Sequence, residues 1–438
     1  MWQEFVSLDL QSRETCESAA WEPALFDARE ESDTYSIVGS GKSITGAYFG
    51  EGVTVVGLGQ PPELTELNLQ ENQLSVSCAA TVAQVQSHLV SKGYMLTGVP
   101  SYPGVTIGGC IAGNVHGQNH FREGCFCESL IRFTLIHPDL GLVSVDRESY
   151  PELFNLTVGG FGLTGLIINA TLKIEAIKSS FLDVSLVKFS SIEDAYEKLV
   201  SKNNAGRYFH SWVDLTTLSP NPGRGFFYKA DFSLTPFEAI REISSVGSEK
   251  NHLRFKLPIF SKTTVSALNR VYYQKNLMFP KKTQALVDFV FPSARRLWYF
   301  SMFGSKGIIE HQVLIPHERV PQYTNSLVNI LKEKNPFVSL SHVKHFSGRR
   351  KLLNFNGSGL CLALHFRAGV TEFETLALID KLNCDCNCIT NILKDSRVPR
   401  WAIKEQYSEY DEFVTRLHKF DPRRLFRNSL SQRLIDLD

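Results

Sequence analysis

The sequence predicts an α+β protein of two domains, and three observations carry that prediction. Short strands mix with helices over the first third of the chain. Dense glycine clusters interrupt that third at two separate places. Beyond residue 177 the character changes, with helical spacing and many aromatic residues. A chain of 438 residues can bury a large core and divide. The boundaries fall at residues 1–176 for the first domain and 177–388 for the second, with 389–438 as a C-terminal segment.

The elements follow in order. Tyr35 to Gly41 (YSIVGSG) reads as a short strand running into a glycine turn. Ala47 to Phe49, Val53 to Leu58 and Leu74 to Ala79 read as further short strands. Apolar residues at helical spacing predict a helix over Thr81 to Lys92, stopped by Gly93. Leu130 to Val145 reads as a hairpin around Pro138 to Gly141, and Leu166 to Ile177 as another strand. A helix over Ser190 to Asn203 opens the second domain. Aromatic-rich segments follow at Tyr208 to Val213, Gly225 to Phe232, Tyr272 to Phe279 and Leu297 to Phe303. Glu310 to Ile315 reads as a strand, Arg319 to Lys334 as an amphipathic helix, Gly359 to Phe366 as a buried strand and Thr371 to Asn383 as a helix. The tail carries LKDSRVPRW, a helix over Ile403 to His418, then FDPRRLFRNSLSQRL. Core packing accounts for most of the aromatics, and the remainder suit a cap that receives an organic substrate.

Composition removes several classes of function. The hydrophobic fraction of 43% and charged fraction of 21% are ordinary for a soluble enzyme. A net charge of +1 offers no strong field for nucleic acid or an anionic membrane. No apolar run is long enough to span a bilayer, and the N-terminus (MWQEFVSLDLQSRETCESAAWEP) lacks the blocks of a signal peptide. Nine cysteines, an odd number in a chain too long to need staples, read as reduced thiols in the cytoplasm. Cys384, Cys386 and Cys388 lack the spacing and the second ligand pair of a zinc site, so no metal is expected. They read as alternating thiols on a strand.

Glycine carries the functional signal. Gly39-Ser40-Gly41-Lys42-Ser43 presents consecutive backbone N–H groups that can bind a pyrophosphate, although a plain strand-end turn explains it equally well. It lacks the Walker pattern and the G-x-G-x-x-G that leads into a helix. Gly108-Gly109 and Gly159-Gly160-x-Gly162-x-x-Gly165 are harder to explain as turns alone, because glycine pairs persist where a Cβ would clash. Backbone pressed against a flat or anionic cofactor is the natural reading. His116, between small apolar residues and Gly117, either faces that cofactor or is a hydrogen-bonded core histidine; the glycine context favours the first. Lys394, in Leu393-Lys394-Asp395-Ser396-Arg397, is either a solvated charge or a base or charge stabiliser near a reaction centre.

Together these residues resemble the vanillyl-alcohol-oxidase-type (PCMH-type) flavoenzymes, and most of all the decaprenylphosphoryl-β-D-ribose 2-oxidase branch. Gly108 to His120 follows that branch's GG-x-IA-x-x-x-HG-x-NH. Glu152 to Ile167 follows ELF-x-x-T-x-GG-x-GLTG-x-I. Lys394 to Arg397 and Asp421 to Phe426 follow its K-D-S-R and D-P-x-x-x-F, with Asn428 in the place of a serine. The resemblance implies an FAD-binding domain of two α+β lobes, and a substrate or cap domain with an antiparallel sheet and flanking helices. It also implies that the C-terminal segment returns to the FAD domain.

The resemblance also assigns roles. Gly39, Ser40, Gly41, Lys42 and Ser43 would wrap the pyrophosphate. Thr106, Gly108, Gly109, Ala112, Gly113, Asn114 and His116 would lie along the isoalloxazine and ribityl chain. Gly160, Gly162, Gly165 and Ile167 would contact the flavin and the adenine side. Lys42 stands where some members carry a histidine that bonds FAD covalently, so non-covalent FAD is expected. His116 and Lys394 match the active-site histidine and lysine, and Gln312, Lys344, Phe346 and Lys394 match substrate-pocket positions. The sequence departs from the branch at Gln118 (lysine there), Ile44 (tyrosine), Ala363 (cysteine) and Glu310 (glutamine). These changes spare the flavin site and bear on the substrate.

The expected activity is hydride transfer from a secondary alcohol of a sugar or sugar-lipid to the flavin, giving a ketone, with Lys394 handling the alkoxide or its proton and His116 orienting. Oxygen, a quinone or another acceptor would reoxidise the flavin, and a short-chain reductase is an expected partner acting on the keto product. A lipid-linked substrate implies peripheral contact at the inner membrane face, with Phe255 to Lys282 as a candidate docking edge. The alternatives are an aldonolactone or other sugar-alcohol oxidase and, from another class, a flavin-free carbohydrate- or lipid-binding protein.

Overall fold

The computed structural model describes residues 14–18, 34–59, 65–137, 139–201, 206–218, 222–235, 258–293, 298–304 and 307–436. Several sequence readings lie outside the described residues: most of the N-terminal stretch, Pro138 of the hairpin turn, Asn203, Leu297, and the Phe255 end of the candidate docking edge.

The α+β class holds. A parallel three-stranded sheet runs in the order Glu14–Ser18, Thr54–Leu58, Tyr35–Val38. An antiparallel five-stranded sheet runs Thr65–Asn68, Gln73–Ser77, Leu166–Lys173, Leu130–His137, Gly141–Asp146. Its alternating apolar residues bury against the helix Val82–Val90 and the short helix Ile107–Ala112. The first of these starts where the sequence places a cap. Thr81 Oγ1 accepts from Gln84 N–H, and the Gln84 side chain accepts from Thr81 N–H in return.

The third sheet is antiparallel and draws on residues from 181 onward. Its order is Lys281–Ala285, Phe181–Phe189, Arg224–Phe232, Tyr208–Asp214, Val338–Phe346, Gly359–Arg367, Ile308–Ile315, Ile389–Thr390. The two long helices Val320–Lys334 and Val370–Asp385 cover one face, packing Tyr323, Leu327, Leu376 and Ile379 on Val313, Ile315, Leu362 and Leu364. Because side chains alternate along a strand, Glu310, Gln312 and His365 turn to the other face, where they line a cavity.

The chain's end packs against the first sheet. Tyr35 N–H donates to Leu425 O at 2.7 Å, and Ser429 N–H donates to Phe49 O at 2.7 Å. Asn428, at the place of the family's serine, caps the last helix (Ser429–Leu434) and donates to Phe161 O in the third glycine cluster at 3.0 Å.

Three sequence readings are corrected. Ala47 to Phe49 is a turn, because Gly46 and Gly50 are pressed against Ser429 and Asn428, and this contact sets the backbone path. The helix over Ile403 to His418 is two helices, Arg400–Gln406 and Tyr410–Phe420. Between them Tyr407 turns its hydroxyl to Thr390 O at 2.8 Å. Cys384, Cys386 and Cys388 do not alternate on a strand. Cys384 lies in the last turn of Val370–Asp385, Cys386 caps it, and Cys388 follows in the loop. The eight described cysteine side chains are all unpaired thiols. Among the described residues no helix is long and apolar enough to cross a membrane.

Candidate active site

The glycine segments form one floor. The Gly39 to Ser43 turn leaves the strand Tyr35–Val38 and lies against the start of Ile107–Ala112. A Cβ on Gly39 would sit 2.2 Å from Thr106 Oγ1, the same atom that caps the helix by accepting from Gly109 N–H at 3.2 Å. A side chain at residue 39 would therefore push the two segments apart or break the cap. Gly39→Ala is expected to lower both the melting temperature and the flavin-to-protein ratio, at a cost of roughly 1–3 kcal/mol, because overpacking and loss of a cap act together.

Above this floor is a cavity of 2030 Å³. A single small-molecule site occupies about 300–1,000 Å³, so the space accommodates a cofactor and a substrate together. A Cβ on Gly162 would meet nothing nearer than Ile37 Cβ at 3.6 Å, so a side chain there would fill the cradle. A long glycine-lined cradle of this size fits a dinucleotide such as FAD.

The opposite wall is built by strand register. Glu310 and Gln312 on Ile308–Ile315, His365 on Gly359–Arg367, and His342 and Lys344 on Val338–Phe346 all face the cavity. Glu310 stands directly across from His365 in the register. The loop after Ile389–Thr390 adds Asn391 and Lys394.

The hydrogen bonds of this wall fix the His116 ring. Leu393 N–H donates to Asn391 Oδ1 at 3.0 Å, so the Asn391 amide nitrogen faces the other way and donates to Gln312 Oε1 at 2.6 Å. Gln312 Oε1 lies 3.2 Å from His116 Nε2, and Gly117 O lies 3.3 Å from Nδ1, so each ring nitrogen faces an acceptor. Lys344 Nζ stands 3.5 Å from the same Nδ1 and donates to Gly117 O at 3.3 Å. Burial, then the charge of Lys344 and the neighbouring His120, push the His116 pKa well below the ordinary imidazole value. His116 is thus a neutral ring held by polar groups at both nitrogens. Burial also pushes Lys344 down to about 8, and Lys394 adds to the fall.

Lys394 reaches the cavity from a loop held from beneath. Its Nζ donates to Glu310 Oε2 at 3.2 Å. His365 Nε2 approaches the same oxygen at 3.9 Å, and Tyr299 stands behind His365, its hydroxyl 3.3 Å from Nδ1. Burial alone would raise the Glu310 carboxyl, but Lys394 and His365 together hold it below its usual range. Beneath the loop, Asp395 accepts from His311 at 2.7 Å and from Arg397 at 2.9 Å, and Arg397 also pairs with Asp380. His311, Asp380 and Asp395 lie close enough to share an ion, but Arg397 already bonds both carboxylates and His311 bonds Asp395.

All the cofactor and substrate residues predicted from sequence line this cavity except Gly160 and Phe346. Gly160 is a packing glycine: a Cβ there would lie 1.9 Å from Leu156 O. Phe346 is fully buried behind the wall. Its ring stacks on His120 at 3.7 Å and meets the His116 ring edge-on at 4.9 Å, so it supports His116 without facing a substrate. Sequence reasoning missed Asn391, His342, His365 and Tyr299. Two of these carried a signal: His342 is two residues before Lys344, and His365 is two after Ala363, so each shares a strand face with a position already singled out.

Floor, cavity and polar wall define a flavin-dependent redox enzyme, and the comparisons agree. Residues 21–145 match a family model described as an FAD binding domain. The chain carries an FAD-binding domain, and its relatives are FAD-dependent oxidoreductases that act on CH–OH groups. It is 23% identical over 385 residues to decaprenylphosphoryl-β-D-ribose oxidase of Mycolicibacterium smegmatis, covering 82% of this chain and 80% of that one. It is 23% identical over 224 residues to mitochondrial D-lactate dehydrogenase (cytochrome) of Kluyveromyces lactis, covering 44% of this chain and 37% of that one. It is 27% identical over 173 residues to mitochondrial L-galactono-1,4-lactone dehydrogenase of Arabidopsis thaliana, covering 40% and 28%. The chain thus spans most of the first relative and about a third of the other two.

Proposed function

We propose that the protein oxidises a secondary alcohol of a sugar or a lipid-linked sugar to a ketone, with FAD held non-covalently. The observation that carries this reading is the polar wall. Glu310, Gln312, Lys344 and Lys394 face the same cavity as the glycine floor and offer hydrogen-bond donors and acceptors matched to hydroxyl groups. The similarity to a ribose oxidase over most of the chain supports it.

Bound FAD would supply the acceptor for the hydride. The chain's own residues would do the rest. Gly39 to Ser43 and the 106–116 segment would hold the cofactor with backbone groups. The hydroxyl proton would leave to solvent, and Lys394, as an ammonium in its pair with Glu310, would donate to the carbinol oxygen as negative charge develops there. His116, neutral and held between Gln312 and Gly117, would keep that side of the wall fixed. The partners of this reading are an electron acceptor such as oxygen or a quinone, and a short-chain reductase for the keto product. Its compartment is the cytoplasm or the inner face of the membrane. Oxidation of an aldonolactone is a second reading, favoured by the similarity to a lactone dehydrogenase.

The test is anaerobic mixing of the holoenzyme with sugar alcohols, aldonolactones and prenyl-phosphate sugars while the yellow flavin spectrum is followed. Bleaching by sugar alcohols or prenyl-phosphate sugars is expected. A colourless protein that cannot be reconstituted with FAD overturns the proposal. Because Lys42 offers no histidine for a covalent link, acid precipitation is expected to release the flavin into the supernatant; yellow colour retained in the pellet would contradict this.

A further inference from the structure

We propose that Glu310 is a specificity-determining residue: its ion pair with Lys394 makes the cavity wall accept two neighbouring hydroxyls of an uncharged polyol and reject a carboxylate. This rests on the reading of the cavity as the alcohol-oxidising site.

A carboxylate in a cavity needs an available positive charge, best supplied by the planar fork of an arginine. Among the described residues no arginine lines this cavity. Of the five lysines that line it, Lys42, Lys275 and Lys282 belong to other parts of the cavity, and two stand at the wall beside His116 and Gln312. Lys344 is turned to His116 Nδ1 and Gly117 O, and Lys394 to Glu310. Glu310 and Lys394 come from different elements, the strand Ile308–Ile315 and the loop after Ile389–Thr390, so their pair is a product of the fold and not of local sequence.

A hydroxy acid entering here would bring its carboxylate against that of Glu310, and like charges repel. A vicinal diol meets no such penalty. Glu310 is acceptor-only; its Oε2 takes the Lys394 bond, and among the described residues no group bonds its Oε1. One hydroxyl can donate to Glu310 while its neighbour accepts from Lys394. The pair stays ionic in the partly buried site because Lys394 and His365 both stabilise the Glu310 carboxylate.

The experiment compares wild-type holoenzyme with Glu310→Gln, which keeps the shape and removes the charge. Oxalate, an anion that cannot be oxidised by hydride loss, is titrated calorimetrically. D-lactate and D-arabinitol are each tested for anaerobic bleaching of the flavin. Oxalate should bind the variant at least about ten-fold more tightly, the size of one charge-assisted hydrogen bond. The ratio of lactate to arabinitol reduction should rise with it. The double variant Glu310→Gln/Lys394→Met should lose the gain, which assigns it to the Lys394 ammonium. Equal oxalate affinity in wild type and variant overturns the proposal, as does a gain that survives in the double variant. If Glu310→Gln does not retain flavin, Glu310→Asp is read the same way, with a smaller gain expected from the lengthened pair. If no alcohol bleaches the wild type, the proposed activity fails, while the oxalate comparison still decides the role of Glu310.

Discussion

Replacing Lys394 with alanine is expected to lower the rate of flavin reduction by substrate roughly a hundred- to ten-thousand-fold, the range for a positioned group that handles charge or a proton at the reacting atom. The flavin should stay bound. The glycine floor is held by the Thr106 cap and by backbone hydrogen bonds such as Ile107 N–H to Ala80 O, Gly108 N–H to Cys78 O and Phe161 N–H to Ala112 O, and none of these involves Lys394. The lysine side chain is 37% exposed and, among the described residues, makes its one side-chain hydrogen bond to Glu310. Its removal leaves that carboxylate without its ammonium, but partial exposure limits the cost to stability. Two measurements separate the effects: flavin-to-protein ratio after gel filtration, and anaerobic bleaching rate under single-turnover conditions. Turnover equal to wild type would remove Lys394 from the chemistry. Loss of flavin would make it a structural residue of the cradle.

The floor is legible in the sequence because its physics is local. Gly39 and Gly108 are glycine because a neighbouring segment is pressed against each, the Thr106 side chain on the first and Cys78 on the second, and a glycine leaves its mark wherever it stands. The strand-turn and capped-helix signals around it, Tyr35 to Gly41 and Thr81 to Gln84, are also short-range. The wall is only half legible. Gln312, Lys344 and Lys394 come through by matching motif positions, but His342 and His365 require knowing which face of each strand looks into the cavity. That choice is made by the helices Val320–Lys334 and Val370–Asp385, which bury the other face. Asn391 carries no sequence signal. Its importance lies in one amide orientation, set by Leu393 N–H and transmitted to His116 through Gln312. The Ala47 to Phe49 turn fails for the same kind of reason, since an apolar triplet reads as a strand until Ser429, nearly four hundred residues later, packs against Gly46.

Replacing Asp395 with asparagine is expected to destabilise the fold by about 3–5 kcal/mol, the usual cost of breaking a buried ion pair by removing one partner. Asp395 is fully buried and carries two loads. Its Oδ2 accepts from His311 Nδ1 at 2.7 Å and Arg397 at 2.9 Å, and its Oδ1 accepts from the backbone N–H groups of Arg397 and Val398 at 3.0 Å each. Asparagine can keep the second set but not the charge. Arg397 would then be balanced by Asp380 alone, and His311 would lose its acceptor. Burial on its own would raise the Asp395 carboxyl, but Arg397 and His311 overcome it and hold the group well below the usual carboxylate range. A carboxyl depressed in the folded state stabilises the fold fully above its unfolded pKa, about 3.9, and that contribution is lost as pH falls below it. The variant should therefore melt well below wild type at neutral pH, with the gap closing as pH is lowered through the carboxylate range. A gap independent of pH would show that the lost energy is packing and not charge. Because residue 395 directly follows Lys394, loosening the loop should also slow flavin reduction, and it should do so in the same folded preparations that still bind flavin. Asp395→Asn with normal melting but slow reduction would make Asp395 a positioning residue for Lys394 alone, whereas low melting with normal reduction would make the ion-pair network purely structural.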